Sequence, residues 1–134
     1  MNPERLKKSM LKNALELCRL KEEINDTFKL RNLSDEHERK WKLTCSYFQT
    51  RFNVLAFTGG YSGALDRIAA GDPTTIETAL CFLEARPYFF RSGYMYKDIL
   101  RMAKRAALPD SQASRLATIV SAYEAYRISR RRGA

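Results

Sequence analysis

Trp41, Cys45, Phe48, Phe52 and Leu55 are separated by four, three, four and three residues. At about 100° per residue they fall within an arc of roughly 80°, so a helix gathers them into one apolar stripe. Leu43, Tyr47, Val54 and Phe57 form a second apolar side. A helix that is apolar on two sides is normally sandwiched between neighbours. The helix from Ser34 to about Phe57 is therefore expected at the centre of the fold, with Trp41, Phe48 and Phe52 buried. The same period recurs upstream, where Leu6, Met10, Leu17, Leu20, Ile24 and Phe28 place a long amphipathic helix over 3–30. Pro3 stands in its first turn, where the missing N–H does no harm. Lys12 and Glu16 pair at helical offset on its polar side.

The breaks between periodic runs are local and chemical. Asn32-Leu33-Ser34 ends the first run, and Ser34 with Asp35, Glu36 and Glu38 makes a capped, acidic helix start. Thr58-Gly59-Gly60 ends the second. A short helix over about 62–70 carries Leu65, Ile68 and Ala69, and Gly71 stops it. Asp72-Pro73 restarts the chain with a capping aspartate and a proline at the first helical position. The helix over 73–85 is expected to bury Ile76, Leu80 and Leu83. Pro87 disfavours helix at Arg86, and Tyr88-Phe89-Phe90-Arg91 reads as an aromatic connector. Ser92 is expected to cap a helix over about 93–106. Leu108-Pro109-Asp110 breaks again, and a last helix over 110–129 rests on Leu116, Ile119, Val120, Tyr123 and Tyr126. Residues 130–134, Arg-Arg-Arg-Gly-Ala, read as a frayed basic tail.

No segment alternates as a strand bounded by hairpin turns. The expected fold is all-α: about six helices in one domain over 1–134, stacked as antiparallel pairs, either as HEAT-like helical hairpins or as an irregular bundle. The chain of 134 residues is long enough to bury a core without disulfides or a metal. Cys18, Cys45 and Cys81 are odd in number and far apart, which suits a reducing cytoplasm better than a secreted disulfide framework. No run is apolar enough for a membrane span, and the N-terminal residues lack the apolar core of a signal peptide.

Charge is concentrated rather than spread. The formal net charge is +9. Residues 86–105 hold six basic residues, Arg86, Arg91, Lys97, Arg101, Lys104 and Arg105, against the single acid Asp98. On a helix over 93–106, Lys97, Arg101, Lys104 and Arg105 share an arc of roughly 100°, while Met95, Ile99, Met102, Ala103 and Ala106 occupy the other side. The functional reading of this basic amphipathic helix, with Arg86, Arg91 and the N–H groups near Ser92, is contact with phosphates or other anions. The bland alternative is a solvated, solubilising face. Tyr88, Phe89, Phe90, Tyr94 and Tyr96 alternate with the bases. Such interleaving suits base stacking, but packing of the connector onto the core is the better account of these rings.

Other constellations carry less. Gly59-Gly60-Tyr61-Ser62-Gly63 lacks the spacing and lysine of a phosphate loop. Neither does it make a nucleophile elbow, since Ala64 stands where glycine is needed and His37 is the only histidine. It reads as a helix–helix turn. Cys18, Cys45, Cys81 and His37 formally add up to a zinc set, but nothing is spaced as C-x-x-C, and buried thiols explain them better. His37 sits in an acidic first turn and reads as a surface residue. No catalytic residue, metal site, cofactor or small-molecule substrate is implied.

Phe82, Leu83, Glu84, Phe89, Phe90, Arg91, Ser92, Gly93, Tyr94 and Leu100 form an FLE…FFRSGY…L pattern. In this segment the chain resembles uncharacterised bacterial HEAT-like helical proteins. The resemblance implies helical structure and carries no activity and no functional residues.

The expected role is non-enzymatic: a cytoplasmic protein-binding module of adaptor, inhibitor or immunity type, docking an acidic protein partner through Arg86–Arg105 and the last helix. The alternative is a nucleic-acid-binding protein that contacts phosphates through the same bases. The patch lacks a known nucleic-acid motif and the lysine-rich breadth of general DNA binders, which favours the protein partner.

Overall fold

The computed structural model describes residues 2–133 and is all-helical, with six helices and no strand among them. They are α1 (Pro3–Leu30), α2 (Asp35–Ala56), α3 (Ala64–Ala69), α4 (Pro73–Ala85), α5 (Ser92–Arg105) and α6 (Asp110–Gly133).

Three of the six helix starts are set by side-chain caps. Asn2 Oδ1 accepts from the Glu4 and Arg5 N–H groups at 3.0 and 3.2 Å, ahead of Pro3 at the first helical position. Ser34 Oγ accepts from the His37 N–H at 3.2 Å. Asp72 accepts from the Thr75 N–H at 3.0 Å, and Pro73 follows it. Each cap satisfies a donor that the first helical turn leaves without a partner. The Gly59–Gly63 segment is the turn expected of it. Asn53 accepts from the Tyr61 and Ser62 N–H groups, at 3.0 Å on its carbonyl and 2.6 Å on Oδ1. Arg67 donates to the carbonyls of Gly60 and Ser62. Gly59 and Gly60 have φ of 88° and 91°, a region that favours glycine.

The centre of the fold is α4, not α2. Helix α4 touches α1, α3, α5 and α6, and it buries Thr75, Ile76, Thr78, Ala79, Leu80, Cys81, Phe82 and Leu83. A hub touched from four sides is the irregular bundle rather than a stack of successive neighbours. Helix α2 lies at the edge, paired with α1 across a short turn, where Phe28 and Trp41 meet edge to face at 5.6 Å. Phe48 and Ala56 are buried, and Trp41 and Phe52 are half-buried. Of the second apolar side, Leu43, Tyr47 and Val54 face solvent, whereas Phe57, just past the helix end, is fully buried against Phe82. Along most of α2 the second side marks an uncovered face, not a second neighbour.

Two further expectations change. Ser92 does not cap α5. It is the first residue of the helix, buried, with its hydroxyl accepting from the Phe89 N–H at 3.1 Å, and Arg91 stands in the cap position with no side-chain cap. Residues 130–133, expected as a frayed tail, continue α6 to Gly133, because nothing in Tyr126–Arg132 breaks a helix; Ala134 lies outside the described residues.

An ion cluster fastens α6 to α4. Arg115 Nη1 contacts both Glu77 oxygens at 2.7 and 2.6 Å, and its Nη2 and Nε reach the Glu84 oxygens at 2.7 and 3.3 Å. Lys7 of α1 adds a 3.5 Å contact to Glu84. Burial alone would raise the Glu84 pKa; hydrogen bonds and charge from Arg115, with Lys7, outweigh it and hold the carboxyl below its usual range. Past this clasp α6 runs outward, and every described residue from Glu124 onward is exposed.

Candidate anion-binding groove

The segment Arg86–Arg91 links α4 to α5 and carries two arginines in the left-handed backbone region, with φ of 52° at Arg86 and 69° at Arg91. These are the only non-glycine residues there among those described. Left-handed backbone costs a side-chain-bearing residue about 1 kcal/mol or more. At Arg86 the cause is local. Its N–H closes α4 on the Phe82 carbonyl at 2.9 Å, and the following Pro87 denies it the helical region. At Arg91 the chain reverses into α5, as the Ser92 N–H returns to the Phe89 carbonyl at 2.9 Å. That bond also takes up an N–H expected to be open to anions.

Phe89 is the plug that fixes the connector. It is buried against Phe52 and Phe82, with ring centroids 5.8 and 6.4 Å away. The rings around it turn outward: Tyr88 is 83% exposed, Tyr94 69% and Phe90 43%. The expectation that these aromatics pack on the core holds for Phe89 and for half-buried Tyr96, holds in part for Phe90, whose ring meets buried Phe48 edge to face at 6.3 Å, and fails for Tyr88 and Tyr94.

Between the connector, α1, α5 and α6 lies an open groove of about 830 Å³. One wall is α1, with Cys18, Lys21 and Glu22; the other combines Tyr94, Tyr96 and Lys97 of α5 with Tyr123, Tyr126 and Arg130 of α6. The cations lean on the rings. Arg86 lies over Tyr96 and Tyr126 at 5.4 and 4.9 Å, Lys21 over Phe90 at 4.6 Å, and Arg91 over Phe90 at 5.3 Å. Tyr96 and Tyr123 pack at 5.4 Å, and Arg130 Nη1 donates to the Tyr126 hydroxyl at 3.1 Å. Burial pushes the Tyr96 hydroxyl above its ordinary pKa against the opposing charge of Arg86, so it remains a neutral wall element. Cys18 Sγ donates to the Tyr88 carbonyl at 3.4 Å and ties α1 to the connector.

Five bases, Lys21, Arg86, Arg91, Lys97 and Arg130, line this groove with one acid, Glu22. None of the five has a carboxylate within 4.0 Å among the described residues. The structure therefore divides the six bases singled out in the sequence. Arg86, Arg91 and Lys97 come together here. Arg101, Lys104 and Arg105 lie farther along α5, and Arg101 is engaged by Asp98 at 3.0 Å. Lys104 borders a separate shallow depression with Leu108, Leu116 and Val120. Sequence reasoning missed Lys21, Arg130 and the Tyr123–Tyr126 pair. The steps of three and four from Tyr123 to Tyr126 to Arg130 were a readable signal. Nothing in α1 announced that Lys21 crosses to the connector.

Among the described residues no group of three His, Cys, Asp or Glu side chains is placed to hold a metal ion. His37 Nδ1 is 2.7 Å from Ser34 Oγ, within its own helix cap. Burial raises the pKa of the Cys81 thiol despite the nearby Arg115, which disfavours the reactive thiolate. No described helix is long and apolar enough to cross a membrane.

Comparisons with protein-family models, with curated proteins and with solved structures found no match for this chain. The functional reading rests on the groove.

Proposed function

We propose that the protein is a non-enzymatic, cytoplasmic binding module that docks an acidic protein partner in the groove beside Arg86–Lys97, as an adaptor, inhibitor or immunity-type protein would. One observation carries this reading: five cations with no carboxylate partner among the described residues stand beside exposed tyrosine and phenylalanine rings in a single groove. Arginine and tyrosine are the residues that dominate protein-interface energetics, and unpaired charge steers an oppositely charged partner into place. Glu22 in the groove wall can accept hydrogen bonds from peptide N–H or tyrosine hydroxyl groups, donors that a phosphodiester backbone lacks.

A second reading draws on the exposed rings of Tyr88 and Tyr94. Free aromatic faces beside arginines also suit unpaired bases, which makes single-stranded nucleic acid the alternative partner.

Fluorescence anisotropy separates the two. The probes are a labelled peptide of alternating glutamate and tyrosine and a labelled oligothymidylate of similar length, both at about 0.15 M salt. The peptide is expected to bind more tightly. Arg91→Glu with Lys97→Glu should weaken it about tenfold or more, and Arg101→Glu with Lys104→Glu should leave it nearly unchanged. Tighter binding of the oligonucleotide, with an affinity that falls steeply with salt, supports the second reading instead.

A further inference from the structure

Arg86 differs from the other groove cations in how it is held. Its backbone is fixed by the α4 terminus on one side and by Pro87 on the other. Its guanidinium lies over two tyrosine rings from different helices, Tyr96 of α5 and Tyr126 of α6. Its guanidinium N–H groups donate to no acceptor among the described residues; the same is true of Arg91, which lies over one ring rather than two, whereas Arg130 is engaged by the Tyr126 hydroxyl. A planar fork with five donors, its position set by covalent geometry and by ring contacts, is preorganised for two parallel hydrogen bonds to a carboxylate. The fixed backbone and the ring contacts reduce the conformational freedom to be lost when that anion arrives. The rings of Tyr88 and Tyr94, exposed in the same groove, offer apolar faces to side chains flanking the carboxylate.

We propose that Arg86 is the carboxylate-reading subsite of the groove, taking the side chain of a glutamate or aspartate in a tyrosine-bearing acidic segment of the partner. This rests on the reading of the groove as a protein-docking site and adds to it which residue reads the acid and what flanks it. Lys21, Arg91 and Lys97 act on the segment as screened charges, whereas Arg86 acts through its fork. Charge alone therefore does not replace it.

The test compares conservative variants with the same alternating glutamate–tyrosine peptide. Arg86→Lys keeps the charge and loses the fork; affinity is expected to fall about tenfold, while Arg91→Lys shifts it within about twofold. A peptide of alternating glutamine and tyrosine, titrated onto the unaltered protein, is expected to lose at least as much as Arg86→Lys costs, and this arm is independent of how any variant folds. Tyr126→Leu should weaken peptide binding to the unaltered protein and have little further effect in the Arg86→Lys background, because the ring acts through the guanidinium. Equal, small losses for Arg86→Lys and Arg91→Lys, with tight binding of the glutamate peptide retained, overturn the Arg86 subsite and leave the docking site standing. Undiminished binding of the glutamine peptide likewise removes the carboxylate subsite. No binding of the glutamate peptide, with or without binding of the oligothymidylate, removes both readings.

Discussion

Arg91 carries a long side chain on a backbone that glycine adopts more readily, and its guanidinium lies over the neighbouring Phe90 ring. An exposed contact of that kind offsets the left-handed strain only in part. Arg91→Gly is therefore expected to leave stability unchanged or raise it by up to about 1 kcal/mol in chemical denaturation, while reducing affinity for acidic peptides. A loss of more than about 1 kcal/mol would show that the side chain holds the connector rather than serving the groove. Aromatic rings in the core divide in the same concrete way. Phe82 is fully buried against Phe57 and Phe89, so Phe82→Ala should cost about 3–5 kcal/mol. Trp41, half-buried against Phe28 at the edge of the α1–α2 pair, should cost well under that when truncated, although the sequence pattern ranks it as core. Denaturant midpoints of the two variants in parallel decide it.

At the scale of elements, the ends of helices were legible because caps are local. Pro3, Ser34 and Asp72 act within four residues of themselves, and each helix start they announce is observed within about one residue. The placement of helices was less legible. Periodicity tells which residues are apolar, not what covers them, so the two-sided pattern of α2 looked central while α4 became the hub. Likewise Arg86, Arg91 and Lys97 were visible as a charge cluster, but their partners Lys21 and Arg130 reach the groove only through packing across long stretches of chain. The clasp between α6 and α4 has its own test. Because the folded pKa of Glu84 lies below the unfolded value, its contribution is complete above about pH 4.3 and disappears as pH falls through the folded value. The stability difference between the unaltered protein and Glu84→Gln, followed by denaturation at several pH values, should shrink as the solution is acidified through that window. A difference that stays constant down to low pH would show that Glu84 gains nothing from Arg115.

For the molecule as a whole, the groove exists because four separate pieces meet around it: the α1 wall, the connector anchored through Phe89 to α2 and α4, the start of α5 and the outer turns of α6. The first three are tied to the core. The fourth is not, since Tyr126 and Arg130 belong to turns of α6 whose residues are all exposed. Backbone amides in such turns open with little free-energy cost and exchange their hydrogens long before those of α4. An occupant that presses Arg86 against Tyr126 would hold those turns shut. Slowed deuterium uptake across Tyr126–Arg130, with α4 unchanged, is thus the expected footprint of a bound acidic segment, and it makes the end of α6 a built-in reporter of whether the groove is filled.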